Sequence, residues 1–168
     1  LYERDGQYQL TAYDIQTMGQ GSGSADYTAL RQKLYLEGLL APERKRQPPR
    51  LPRAVGVITS AEGAAVQDII TGMRRHNDLI PLVIYPATVQ GATAVEALLY
   101  ALRCAIAEGR CDVLIIARGG GAAETLAVFN DERLLRAVAA SPVPVISAVG
   151  HDVDQTLLDE VADIRAAT

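Results

Sequence analysis

What the sequence lacks excludes several kinds of protein. Its two cysteines cannot make a disulfide framework, and they indicate a reducing, cytoplasmic location. No run of about 18 apolar residues occurs, so a membrane-spanning helix is excluded and no membrane partner is expected. No repeat with a period of about 20–50 residues occurs, which argues against a solenoid. With 16 basic and 20 acidic residues the net charge is −4, which excludes a globally basic nucleic-acid binder but allows a local basic patch.

The length and composition that remain suit one domain with a short appendage. The 168 residues are 49% hydrophobic, which is enough for a single core of ordinary size. The chain starts at Leu1 without an initiator methionine, and we expect it to be a piece of a larger protein.

The first 25 residues are expected to be the tail of an N-terminal β module. Tyr8, Leu10 and Ala12 alternate with polar residues, a period that is typical of a half-buried strand. One strand cannot make a domain by itself. A stretch rich in glycine and serine follows at 18–24, and it predicts a linker.

Residues 26–53 are predicted to form a helix and a basic, proline-rich connector. Asp26 is a candidate N-cap for a short helix that stops at Gly38, with Tyr27, Leu30 and Leu34 on its apolar stripe. Residues 43–53 then carry five positive charges and three prolines, which predicts an extended segment. Together with Arg74 and Arg75, this connector is either a basic track or an ordinary solvated face.

From residue 54 to 168 the pattern alternates regularly between strand and helix. Short apolar runs predict strands at 54–59, 81–85, 112–117 and 144–148. Helical stripes follow them, with Ser60 and Asn130 as candidate N-caps, a helix at 92–108 closing at Gly109, and a last helix holding Leu157, Leu158 and Val161. Such alternation predicts an open, doubly wound α/β domain, with a mostly parallel sheet and helices on both faces. The short β tail and the linker helix precede it.

The fold then indicates where a ligand binds. In open parallel sheets ligands bind beyond the carboxyl ends of the strands. That rule selects four places, namely Thr59 with Ser60, Pro86, residues 117–121 and residues 147–154. Two of these places carry unusual residues.

The first is an arginine followed by three glycines. The backbone N–H groups of Gly119, Gly120 and Gly121 can turn toward one point and bind an anion. Arg118 adds a positive charge with a fork of donors that fits phosphate. The spacing matches neither the dinucleotide fingerprint nor the P-loop. The alternative is a glycine-rich turn beside a surface arginine.

The second is a histidine with a carboxylate three residues later. His151 follows a buried strand, and Asp154 shares its face if a helix has begun there. This pairing is typical of a general acid or base whose ring the carboxylate orients. A capping or core histidine is the structural alternative. A metal site for Mg²⁺ or Mn²⁺ built from His151, Asp152, Asp154 and Asp68 is the chemical alternative.

Six blocks in this order carry a family resemblance. They are VGVITS at 55–60, VIYPATVQG at 83–91, CDVLIIARGGG at 111–121, FNDE at 129–132, SAVGHDVD at 147–154 and VADIRA at 161–166. Together they resemble the large-subunit family of bacterial exodeoxyribonuclease VII, from about residue 54 to the end. Residues 1–25 resemble the close of that family's N-terminal OB-fold. The family continues beyond this point into a long helical region that gathers small subunits.

The resemblance implies hydrolysis of single-stranded DNA from both ends to oligonucleotides, without an obligatory divalent metal or another cofactor. It implies a small-subunit partner for the full-length protein. The family's essential positions correspond to Asp68, Arg118, His151 and Asp154, of which periodicity alone makes Asp68 a surface acid. One departure is that Ala122-Ala123-Glu124-Thr125 follows the glycines, where the family usually has a serine and then an acidic pair.

These expectations combine into one mechanism with two alternatives. Arg118 and the glycine amides hold the scissile phosphate, His151 is the general base or acid that Asp154 orients, and Asp68 activates or positions water. The alternatives are a DNA-binding or structural module that is inactive in isolation, and a protein that binds the phosphate of a small nucleotide.

Overall fold

The fold is built on a five-stranded parallel sheet. The computed structural model describes residues 2–4, 7–9, 22–119, 123–150 and 155–166. The strands lie in the order β4-β3-β5-β6-β7, and every neighbouring pair is parallel. They are β3 (Val55–Thr59), β4 (Leu82–Pro86), β5 (Val113–Ala117), β6 (Val145–Ala148) and β7 (Ile164–Arg165). The predicted α/β class is confirmed.

Helices connect these strands along both faces of the sheet. They are α2 (Ala64–His76), α3 (Ala94–Glu108), α4 (Glu132–Ala139) and α5 (Leu157–Val161), with a 3₁₀ helix (Ala123–Asn130) before α4. Val55 and Val57 pack on one face against residues of α2, whereas Ile58 points to the other face, where α3, α4 and α5 lie. This alternation follows from the two-residue period of a strand. It confirms a sheet that is covered on both faces.

The N-terminal part holds a hairpin and a docked helix. Strands β1 (Tyr2–Arg4) and β2 (Gln7–Gln9) pair antiparallel. Helix α1 (Ser22–Leu36) begins within the predicted glycine- and serine-rich linker, so the linker prediction is wrong for 22–24 and Asp26 is not its N-cap. The predicted stop at Gly38 is confirmed, because this residue has the positive φ of 76° that glycine adopts readily.

Two other predicted N-caps are wrong by a few residues. The N-cap of α2 is Gly63, because the chain makes a turn in which the Gly63 N–H donates to the Ser60 carbonyl oxygen at 3.3 Å. The N-cap of α4 is Asp131, whose carboxylate accepts from the Arg133 N–H at 2.9 Å. Asn130 Oδ1 instead accepts from the Leu157 N–H at 2.8 Å, in the first turn of α5, whose N-cap is Thr156.

The basic connector is docked on the domain. Arg44 donates to the carbonyl oxygens of Leu39 and Ala139, and Lys45 donates to those of Glu160 and Ala162. Arg46 pairs with Asp163, with 2.8 Å between Nη2 and Oδ2. Several of these acceptors are carbonyls at the ends of α4 and α5, which attract cations. The connector's part of the expected basic track is therefore wrong for residues 44–46, whose charges are used inside the fold.

None of the helices in the described part of the chain has the length and apolar character needed to cross a membrane.

Candidate active site

The loops that carry the candidate residues begin at one edge of the sheet. Beyond the end of β5, the Arg118 N–H donates to the Ala148 carbonyl oxygen at 3.0 Å. Beyond the end of β4, the Ala87 N–H donates to the Thr59 carbonyl oxygen at 2.9 Å. These bonds continue the ladders past the strands, so the loops after β3, β4, β5 and β6 start side by side. This is the carboxyl edge at which open α/β sheets bind ligands.

Arg118 lies at the centre of this edge and is buried. It follows β5, which is flanked by β3 and β6, and only 7% of its surface is exposed. The carboxyl edge therefore contains a fixed positive charge in a partly water-excluded position, where charge interactions are stronger than in bulk water.

Gly119 packs closely against the amino end of α2. A Cβ atom added to Gly119 would lie 3.3 Å from the Ala65 backbone nitrogen and 3.8 Å from the Ala64 Cβ. Glycine is therefore the residue that lets the turn after β5 approach α2. The amino end of a helix carries partial positive charge and free N–H groups. The structure thus combines the turn after Arg118 with a second element that favours anions.

The contact between Gly119 and Ala64 also indicates which face of α2 turns toward the end of β5. Asp68 lies on α2, three residues after Ala65 and four after Ala64, and residues at this spacing share one face of a helix. Its side chain is exposed, as the periodicity predicts. The face of α2 that meets the glycine turn is thus the face that carries Asp68. Sequence periodicity could not show this, because it gives no information on which turn a helix packs against.

We expect Gly119→Ala to lower activity at this site without unfolding the domain. The added methyl group must push the turn a few tenths of an ångström away from α2, because its contact with the Ala65 nitrogen is too short. Such a displacement of phosphate-binding groups should reduce the rate of cleavage by roughly tenfold. The measurement is the steady-state cleavage of end-labelled single-stranded DNA, beside a thermal unfolding curve.

Gly72→Ala is the matched control for this substitution. Gly72 lies in the same helix, α2, and a Cβ atom added to it would meet no other atom within 4 Å. We expect Gly72→Ala to stabilise the protein by about 0.5–1 kcal/mol, from helix propensity alone, and to leave cleavage unchanged. Equal activities of the two variants would contradict a role for the contact between Gly119 and α2.

Four of the predicted site residues lie outside the described residues. They are Gly120, Gly121, His151 and Asp154. The predicted roles of these four residues, like those of Asp68, Arg118 and Gly119, stay predictions. The same holds for the metal alternative, which depends on His151, Asp152 and Asp154. Elsewhere, in 22–119, 123–150 and 155–166, no group of three His, Cys, Asp or Glu side chains could hold a metal ion.

One buried carboxylate connects the described residues on either side of 151–154, where His151 and Asp154 lie in the sequence. Asp159 Oδ1 accepts from the Ser147 hydroxyl at 2.6 Å, at the end of β6. Its Oδ2 accepts from the Thr156 N–H at 2.9 Å and from the Thr156 hydroxyl at 3.0 Å. Asp159 thereby ties the end of β6 to the start of α5. Asp159 was not among the predicted site residues, although Thr156 and Asp159 have the spacing of a capping box, the signal that could have found it.

Tyr85 is the titratable side chain of β4 nearest this edge, and it has a structural role. Its hydroxyl donates to Glu108 Oε2 at 2.9 Å and lies 3.9 Å from the Cys111 sulfur. Burial, helped by the neighbouring Glu108 carboxylate, raises the pKa of Tyr85. The phenol therefore stays protonated at neutral pH and holds β4 to α3, so it is a poor candidate for proton transfer.

Fold and edge together define a class of protein. It is an open parallel α/β protein whose candidate anion site lies between a buried arginine, a glycine turn and the amino end of a helix. A family model described as "Exonuclease VII, large subunit" matches residues 39–168. The chain belongs to the exonuclease VII large-subunit family.

Curated relatives carry a matching name. A protein of Tolumonas auensis is 48% identical over 168 residues, one of Alcanivorax borkumensis is 49% identical over 168, and one of Brevibacillus brevis is 51% identical over 167. Each is named "Exodeoxyribonuclease 7 large subunit". The matches cover 99–100% of this chain, and the chain spans 36–38% of the length of these relatives.

Proposed function

We propose that this chain is the catalytic α/β domain of an exodeoxyribonuclease that hydrolyses phosphodiester bonds of single-stranded DNA from both ends to oligonucleotides. The observation that carries the proposal is the contact of Gly119 with the amino end of α2, beside the buried Arg118. Membership of the exonuclease VII large-subunit family supports the choice of a nuclease over other phosphate-binding proteins.

Arg118 and the amides of Gly119, Gly120 and Gly121 bind the non-bridging oxygens of the scissile phosphate. Negative charge builds on these oxygens as water adds to phosphorus, and preorganised donors stabilise it more in the transition state than in the ground state. The burial of Arg118 supports this role, because its charge needs no rearrangement of water during the reaction.

His151 and Asp154 carry the proton transfer in this proposal. His151 takes a proton from the attacking water, or gives one to the oxygen that leaves the phosphorus, and Asp154 orients the ring. Asp68 activates or positions the water. Its exposure supports this, since a solvated carboxylate on the helix face that meets Gly119 can hold a water at hydrogen-bond distance.

No divalent metal or other cofactor takes part in the proposed reaction. The full-length protein acts together with a small subunit, and single-stranded DNA is its substrate. The names of the relatives support a multisubunit enzyme, because each is called a large subunit.

The decisive experiment is cleavage of end-labelled single-stranded DNA by the full-length protein with its small subunit, in excess EDTA, beside His151→Ala. We expect cleavage in EDTA by the parent protein and its loss in the variant. Cleavage that needs added Mg²⁺ would instead make His151 and Asp154 metal ligands. Salt-sensitive DNA binding without cleavage in either condition would favour a passive binding module.

A further inference from the structure

A cleft opens at the carboxyl edge, beside the candidate anion site. It lies between the turn after β3, at Ser60 and Ala61, and the loop after β4, at residues 86–90. Its volume is about 370 Å³, within the range of small-ligand sites. Because β3 lies between β4 and β5 in the sheet, the turn after β3 has this cleft on one side and Gly119 on the other.

The lining of the cleft combines apolar residues with the polar side chains of Ser60, Thr88 and Gln90, and it carries no charge. Ala87 and Val89 are buried and form its floor, while Thr88 and Gln90 are exposed. Neither exposed side chain makes a hydrogen bond to another described residue. These donors and acceptors are therefore available to a ligand, and the apolar floor offers a surface for the face of a base or a sugar.

The adjoining end of α2 favours an anion. Its N-cap is Gly63, which provides no side-chain cap, and its first turn contains no acidic residue. A helix of this length carries partial positive charge at its amino end, and the first N–H groups have no partner within the helix. The position beside the cleft is thus suited to one phosphate group.

Thr59 provides an independent sign that a polar partner belongs here. Its side chain is 0% exposed, and its hydroxyl has no hydrogen-bond partner among the described residues. Val55 and Val57 pack on the α2 side of the sheet, so strand alternation points Thr59 to the same side, beneath the start of α2. A buried hydroxyl without a partner is rare, and it indicates a water that links this hydroxyl to the neighbouring polar groups at the start of α2.

We propose that this cleft binds the sugar and base of the nucleotide attached to the scissile phosphate, which itself lies between Gly119 and the amino end of α2. The proposal rests on the proposed function and extends it. The DNA strand passes from the turn at Gly119 across the turn after β3 into the cleft, where Thr88 and Gln90 bind the nucleotide. The lining has no aromatic ring, so base stacking on side chains is absent there and base preference is weak.

The test introduces a positive or a negative charge in the cleft and measures how each changes the binding of single-stranded DNA. With Gln90→Lys in the full-length protein, we expect the dissociation constant for single-stranded DNA to fall by about fivefold, and with Gln90→Glu to rise by a similar factor. Gln90→Lys should also steepen the dependence of log K on log[salt] by about 0.7. KM should follow binding, with kcat unchanged, because the cleft does not touch the reacting phosphorus.

Gln32 offers the matched control. It is exposed on α1, which packs on the other face of the sheet, and Gln32→Lys and Gln32→Glu change the net charge identically. We expect neither to alter binding. Equal effects at Gln90 and Gln32 would mean that the net charge of the protein alone controls DNA binding, and they would overturn the proposed nucleotide site in the cleft. A parent protein that neither binds nor cleaves DNA would overturn the proposed function together with the cleft, whereas an active parent with silent Gln90 variants would overturn the cleft alone.

Thr59→Val tests the same proposal through a neutral change. It replaces the hydroxyl by a methyl group of similar size. Since the hydroxyl has no partner in the described structure, its loss should not lower the thermal midpoint. Because the hydroxyl is fully buried, it can act on the ligand only through a bridging water, and we expect DNA binding to weaken by about threefold. Unchanged binding with unchanged stability would contradict a ligand at this position.

Discussion

Replacing Arg118 by alanine is expected to reduce cleavage of single-stranded DNA by about 10²–10³, the loss that follows removal of one donor to the transition-state oxygens. The expectation depends on the place of Arg118 at the centre of the carboxyl edge, where it is 7% exposed. Without a metal in the proposed mechanism, no other described charge takes over its role. The measurement is kcat/KM with end-labelled DNA in EDTA.

Two further arginine variants separate chemistry from stability. Arg110→Ala removes an exposed arginine just before β5, whose nearest carboxylate, Glu108, lies 3.6 Å away, and it should leave cleavage unchanged. Arg118→Lys keeps the charge but loses the planar fork of donors, and we expect it to restore only part of the activity. Thermal unfolding curves check the fold of each variant. Full activity of a folded Arg118→Ala protein would remove Arg118 from the mechanism.

The fold was largely predictable because its elements carry strong local patterns. Helix α3 has Leu98, Leu99 and Leu102 buried at helical spacing and ends at Gly109 with the expected positive φ. Strands β3, β4, β5 and β6 each follow from an apolar run of four or five residues between turn residues. The sequence does not predict strand β7, because a strand of two residues is too short to show an alternating pattern of polar and apolar residues. It exists because the Asp163 N–H donates to the Val145 carbonyl and the Ala166 N–H to that of Ser147.

The candidate site was only half predictable from sequence. The carboxyl-edge rule found Arg118 and Gly119 from their position after an apolar run. Asp68 came from the family resemblance, since nothing along α2 shows that its exposed face meets the turn at Gly119. That contact is tertiary, and local periodicity does not contain it. The unpartnered hydroxyl of Thr59 is likewise visible only in three dimensions.

The connector shows why a run of charge is a weak signal of function. Five positive charges in 43–53 suggest a surface for nucleic acid, but a charged side chain can equally serve the carbonyl oxygens at the ends of helices. Arg44 and Lys45 do so at α4 and α5. A basic segment binds helix ends only where it packs against them, and the spacing of the charges along the sequence does not show whether it does.

Asp163→Ala is expected to be strongly destabilising, although Asp163 lies outside the apolar core. The Asp163 side chain is 7% exposed, and its Oδ1 accepts from the Arg46 N–H at 2.8 Å. Its Oδ2 accepts from Arg46 Nη2 and from the Val145 N–H, each at 2.8 Å. Alanine leaves these donors without a partner in poorly solvated surroundings. We expect the free energy of unfolding to fall by about 3–5 kcal/mol, measured by urea unfolding.

Asp112→Ala is the matched control for this substitution. Asp112 also accepts from the backbone N–H and the guanidinium of one arginine, Arg53, but that arginine side chain is 74% exposed, so the loss of stability should be clearly smaller.

Acid unfolding gives a second test of Asp163. Burial alone would raise the pKa of Asp163, but the hydrogen bonds from Arg46 and Val145 outweigh it and hold that pKa below its ordinary value. Because the folded-state pKa is the lower one, the carboxylate stabilises the fold fully above the unfolded pKa of about 3.9, and this contribution disappears as the pH falls through the folded pKa. The parent protein should therefore lose stability below about pH 4 more steeply than Asp163→Ala. Parallel pH profiles, or equal losses in the two aspartate variants, would show that Asp163 does not hold the connector to the sheet.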